Sequence, residues 1–114
     1  MATIGRGVYA EAVHEFFEGV RTYDAARACA VLADDAELHG LLGEASDKAG
    51  IQALLEPMLA PSLQRPSFTI MDISGDGNVV TLKVSVSGRF GSGAKRQTWQ
   101  ILHLKGVIHH IVVS

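Results

Sequence analysis

Residues 67–87 read SFTIMDISGDGNVVTLKVSVS, and the period of this stretch decides the fold class. Val80, Leu82, Val84 and Val86 alternate with Thr81, Lys83, Ser85 and Ser87. Successive strand residues point to opposite faces, so this strand has one apolar and one wet face. Gly75 and Gly77 in SGDGN tolerate positive φ and make the turn of a hairpin whose first arm is SFTIMDIS. Downstream, KRQTWQILHL (95–104) and VIHHIVV (107–113) read as two more strands joined by a tight Lys105-Gly106 turn. GRFGSG (88–93) is a longer hairpin loop.

Upstream the period changes to that of helices. Val8, Ala12, Val13, Phe16, Phe17 and Val20 recur at three-to-four spacing and form one aromatic-rich stripe. Asp24 is placed to cap a second helix, running from Ala25 to about Ala33 and stopped by Asp34-Asp35. AELHGLLG (36–43) follows as a short first strand. Asp47 can cap a third helix carrying Ile51, Leu54, Leu55, Met58 and Leu59. Pro57 lacks an N–H and is expected to kink that helix or end its regular part early. Pro61 and Pro66 bracket its exit. The fold class is α+β: three helices, then a curved antiparallel sheet over an apolar pocket. A chain of 114 residues is one domain, 1–114.

Composition narrows the function classes. The 47% apolar content is high for so small a domain and calls for an apolar pocket, a self-association surface, or both. A net charge of −2 without a basic stripe argues against nucleic acid, and against an anionic membrane surface. No stretch approaches the ~20 apolar residues of a membrane span. MATIGRGVYAEA at the start has no apolar core of signal-peptide length. A single cysteine, Cys29, rules out an internal disulfide, and its setting in AARACAVLA reads as a small core hydrophobe. The expected location is cytoplasmic.

Several segments, in their order, carry a family resemblance. HEFFEGVRTYDAARACAVLADDAELHG (14–40), DKAGIQALL (47–55) and HLKGVI (103–108) resemble the opening, third helix and final hairpin of the nuclear transport factor 2-like superfamily. That group includes ketosteroid isomerases, limonene epoxide hydrolases and polyketide-cyclase-like proteins. The resemblance implies a cone, with the sheet wrapped over the three helices and a pocket between them. It places the isomerase tyrosine on Phe16, the aspartate base on Gly40, and the second acid near Trp99 or Gln100. Phe16 and Gly40 move no protons, so that dienol chemistry is not expected. For the Asp-Arg-Asp set of the epoxide hydrolases, Asp72 and Arg96 are the nearest residues, and no second strand aspartate completes it.

The pocket so implied is lined by Phe16, Phe17, Leu38, Gly40, Leu55, Met58, Leu59, Val84, Trp99, Ile101 and Ile111. Trp99 offers a flat surface and an N–H donor to a hydrophobic ligand, or is plain core. His39, His103, His109 and His110 lie on strands, and imidazole titrates near neutral pH. His109 and His110 are adjacent, so at most one enters the pocket. A two-residue turn at Lys105-Gly106 pairs His103 with Ile108. One register then turns Trp99, Ile101 and His103 inward, with His109, Ile111 and Val113 reached after a bulge. The other turns Gln100, Leu102 and Leu104 inward. His103 and His109 are the catalytic candidates, against a reading of all four as rim or interface residues. No H-x-H on a strand face, H-x₃-H on a helix or cysteine partner marks a metal site, and no cofactor is expected. GRFGSG joins two strands and so has no helix N-terminus for a phosphate; SGDGN lacks calcium-loop acids.

Two functions remain open on these residues. One is a small cofactor-free isomerase-, cyclase- or hydrolase-like enzyme with a pocket histidine, acting on a small hydrophobic molecule. The other is a non-catalytic ligand-binding or dimerisation module. Either register leaves large apolar side chains on the outer sheet face, which is expected to bury itself in a homodimer.

Overall fold

The computed structural model describes residues 11–61, 65–88 and 94–114. Val8, the opening MATIGRGVYA and most of the GRFGSG loop lie outside the described residues. Helix α1 spans Glu11–Arg21 and buries Ala12, Val13, Phe16, Phe17, Gly19 and Val20 along one stripe. Tyr23 then takes a positive φ of 63° and turns the chain. The Asp24 carboxylate caps α2, Ala25–Cys29, by accepting from the Arg27 N–H. The two helices touch at Gly19. A Cβ there would lie 2.4 Å from the Ala28 nitrogen, so only glycine permits this contact.

Helix α2 is shorter than its apolar pattern suggests, and strand β1, Leu32–Gly40, starts earlier than expected. Tertiary pairing overrides helix propensity here. The Val31 carbonyl accepts from the Ile108 N–H, and Leu32 pairs with Ile108, which pulls the chain out of the helix. Leu32, Ala36 and Leu38 are buried, while Asp34 and Asp35 stay exposed. Helix α3, Lys48–Leu59, is capped by Asp47, whose carboxylate accepts from the Gly50 N–H. Pro57 neither shortens nor ends it; the helix continues to Leu59. The proline removes the helical partner of the Ala53 carbonyl, and only Met58 and Leu59 follow it before the helix ends.

Strands β2 (Ser67–Asp76), β3 (Val79–Ser87), β4 (Ala94–Leu104) and β5 (Val107–Val113) complete a five-stranded sheet ordered β1-β5-β4-β3-β2. Neighbours β2 to β5 are antiparallel, as expected of hairpins. The β1–β5 pair is parallel, which the antiparallel expectation did not contain. No turn links these two strands, so hairpin geometry does not set their direction. Lys105 (φ 53°) and Gly106 (φ 84°) form the β4–β5 turn. His103 pairs with Ile108 and Leu102 with His110, leaving His109 as the bulged residue of β5.

This register settles the facing of β4. Trp99 and Ile101 are fully buried against the helices, and Gln100 is exposed. Val80, Leu82 and Val84 of β3 meet them on the same side. The core lies between the helices and the concave face of the sheet. Each such aliphatic or aromatic side chain contributes about 1.5–3 kcal/mol when removed from water. No helix among the described residues is long and apolar enough to cross a membrane.

Candidate functional site

Trp99 is the centre of the inner face. It stands on β4, the middle strand of the sheet, and is wholly buried. Phe17 and Phe68 meet it edge-on, with ring centroids at 5.6 and 5.9 Å, and Phe16 approaches at 6.3 Å. The helical stripe of α1 delivers the first two rings because residues 16 and 17 both fall on its buried side. The Trp99 indole N–H donates to Gln97 Oε1 at 2.9 Å, so the one polar atom of the cluster is satisfied. Edge-on aromatic pairs add about 0.5–1.5 kcal/mol each beyond their burial.

The other residues expected around a pocket divide as follows. Leu38, Leu55, Leu59, Val84, Ile101 and Ile111 are buried in the same core, and Met58 is half-buried against it. Gly40 is exposed and holds a φ of 114°. A Cβ built on it would lie 1.9 Å from the Val113 carbonyl oxygen. Phe68 joins the cage although the sequence reading did not single it out; its place at the buried phase of SFTIMDIS was the available signal.

Acid–base groups are sparse. Among the described residues no buried residue is polar or charged. His103 shares the inner face with Ile108, is half-buried, and its Nε2 is out of solvent without a hydrogen-bond partner. His109 occupies the bulge and is half-buried. His110 pairs with Leu102 on the outer face. Asp72 and Arg96 both line a surface groove of about 480 Å³, together with Met71, Lys83, Val84, Gln97 and Thr98. Asp72 pairs with Lys83 and Lys83 with Thr98, which places these side chains on the face opposite Trp99. Cys29 is buried, and that burial raises its thiol pKa to about 11, so it is a poor nucleophile.

A polar network centred on His39 lies on the outer face. His39 Nδ1 donates to Glu44 Oε1 at 2.6 Å, and its Nε2 to Glu37 Oε1 at 2.9 Å. The Glu44 hydrogen bond first and the Glu37 bond second hold the imidazole above its ordinary pKa, and each carboxylate is held below its own by the same bonds. His110 completes the group, its ring centroid 5.1 Å from that of His39. Sequence spacing alone pointed to no metal site. The available signal was Glu37-x-His39, whose i, i+2 spacing shares a strand face, but its third member is on a strand seventy residues away.

A profile of the SnoaL-like domain matches residues 13–112. No curated protein sequence matches the chain. Among solved structures, a Sinorhizobium meliloti protein provisionally assigned as a polyketide cyclase superposes with a TM-score of 0.80 at 17% identity, covering 92% of this chain and 94% of its own. A cystatin-fold protein from Novosphingobium aromaticivorans gives 0.76 at 15% identity, over 91% and 95% of the two chains. A Mycobacterium tuberculosis protein solved with estradiol-17β-hemisuccinate gives 0.71 at 16% identity, over 90% and 89%. Helix order, sheet order and the profile match agree, and the chain belongs to the SnoaL-like domain family of the nuclear transport factor 2-like superfamily.

Proposed function

We propose that this domain binds a small, flat, hydrophobic molecule between its helices and the concave face of its sheet, without a cofactor. The observation that carries the reading is the interior itself: Trp99 ringed by Phe16, Phe17 and Phe68, with no polar or charged residue among the buried ones described. Apolar walls with few polar groups are what ligand pockets of this kind present. The Mycobacterium tuberculosis neighbour was solved with a steroid ester, and a computationally designed neighbour of the same fold is a 17-OHP binder. A catalytic version of the reading rests on one feature, the buried and unpartnered Nε2 of His103. An imidazole in that setting could shuttle a proton on the bound molecule.

Trp99 is the only tryptophan and so reports on the interior. Titration with estradiol-17β-hemisuccinate, and with flat polycyclic ketones, should change its emission saturably. Ligand at a hundredfold its Kd should stabilise the fold by about 2.7 kcal/mol. Flat emission and an unmoved Tm across the panel at 100-fold molar excess would remove the binding reading. If a ligand is turned over, His103→Gln should keep the affinity and lose the rate; equal rates would remove the histidine role.

We propose further that two copies pair through the outer face of the sheet. Val79 and Leu104 are the exposed apolar residues of β3 and β4, at 36% and 39%, and Leu102 lies beside Val79 on that face. Val112 and Val107 continue it on β5. Thr81 and Lys83 make a wet rim. Leu102→Glu should convert dimers to monomers in sedimentation equilibrium, or cause aggregation. A wild-type monomer at tens of micromolar would overturn this.

A further inference from the structure

We propose that Glu37, His39 and His110 bind one divalent transition-metal ion of the zinc class on the outer face of the sheet, at the parallel β1–β5 seam. The parallel register sets Glu37 beside His110 and His39 beside Val112, so two neighbouring strands aim three ligand side chains at one spot. One nitrogen from each imidazole and one carboxylate oxygen all lie within 4.8 Å of one another. Tetrahedral Zn²⁺ with bonds of about 2.0–2.1 Å needs ligand atoms about 3.3 Å apart. The His39 Nε2 to Glu37 Oε1 separation is 2.9 Å and the His110 Nε2 to Glu37 Oε1 separation is 3.9 Å, which straddle that value. All three side chains are 40–50% exposed and can close the difference by small χ rotations.

Two features separate this group from a chance pair of surface histidines. The first is the backing of His39. Its Nδ1–H donates to Glu44 Oε1, so that once Nε2 gives up the proton it shares with Glu37, the remaining tautomer presents Nε2 to the ion. Glu44 is itself held, since its Oε2 accepts from the Gly40 N–H at 3.0 Å. The loop that carries it is closed by the paired Leu38–Ala45 backbone bonds, both 2.9 Å. A carboxylate behind a metal-facing histidine is the usual support of a protein metal site. The second is His110 Nε2, which is shielded from solvent and has no hydrogen-bond partner. An imidazole nitrogen so placed beside a carboxylate gains a partner when an ion arrives. On binding, the ion takes the place of the proton now shared by His39 Nε2 and Glu37. Glu37 and Glu44 together supply two negative charges to match the dication. Three protein ligands leave a fourth position facing outward, for water or another donor.

The test uses the whole chain, stripped with a chelator and exchanged into metal-free buffer. Zn²⁺ titrated against a chromophoric competitor should bind one ion per chain with micromolar or lower Kd, and Mg²⁺ should not compete. Co²⁺ should give the visible d–d absorption of a four-coordinate site. Glu37→Gln and His110→Gln should each weaken Zn²⁺ by about a hundredfold or more, and Glu44→Gln by about 10–100-fold. His14→Gln should leave it unchanged. Wild-type imidazole ¹⁵N spectra keep the test independent of variant folding: the Nε2 signals of His39 and His110 should shift with one equivalent of Zn²⁺, and those of His103 and His109 should not. A stoichiometry below one half, variants that bind as tightly as the parent, or shifts spread over all five histidines would overturn the site.

Discussion

Trp99→Ala should cost about 3–5 kcal/mol of folding stability, the range for deleting a fully buried tryptophan. The cost belongs at the upper end because the site cannot collapse. Phe16 and Phe17 are tied to α1, Phe68 is tied to β2, and Trp99 itself stands on the central strand between β3 and β5. A domain of this size has only about 5–15 kcal/mol to lose. The urea midpoint, followed by far-UV circular dichroism because the only tryptophan is gone, should fall sharply with an unchanged m-value. Trp99→Phe should fall much less, since it keeps a ring against Phe17 and Phe68. A midpoint for the alanine variant within error of wild type would show that the aromatic cage is not the core of this fold.

Gly40→Asp should destabilise by about 2–6 kcal/mol and create no isomerase. Two penalties add. The φ of 114° is closed to a side-chain-bearing residue, at about 1–3 kcal/mol. The new Cβ would overlap the Val113 carbonyl oxygen at 1.9 Å, and moving backbone to relieve it costs about 1–3 kcal/mol more. The strand cannot simply shift, because the same carbonyl accepts from the Leu41 N–H at 2.9 Å. The family resemblance places the isomerase base at this position, so the substitution is also the obvious attempt to introduce that activity. Neither wild type nor variant should isomerise a Δ5-3-ketosteroid above the buffer rate, with product absorbance as the measure. A stable variant would show that Gly40 is not locked by its neighbours; an active one would show that the pocket needs only the carboxylate.

How much of this was legible beforehand depends on the range of the interaction involved. The Asp24 and Asp47 caps were readable because a cap is a contact between residues three apart in sequence. The two-residue Lys105-Gly106 turn was readable too, and with it the pairing of His103 with Ile108. Period-two alternation in 79–87 identified the buried side of β3, and the inward Trp99 and Ile101 followed one of the two registers open on β4. By contrast, the end of α2 was misplaced. Val31 and Leu32 look helical by composition, and only their bonds to Ile108 make them strand.

The metal-ligand group shows the same division. The sequence by itself determined the class of fold, the helix caps, the hairpins among β2 to β5, and which face of β3 is apolar, since each depends on side-chain periodicity or on a turn spanning a few residues. Only the tertiary structure decided that β1 lies parallel to β5, that Gly40 abuts the Val113 carbonyl, and that Glu37 and His39 meet His110. Those three facts come from one pairing between strands separated by about seventy residues with no turn to dictate its direction or register. A pairing of that kind is set by how the whole core closes, with Leu38 against Ile111 on the inner side, and no local pattern encodes it.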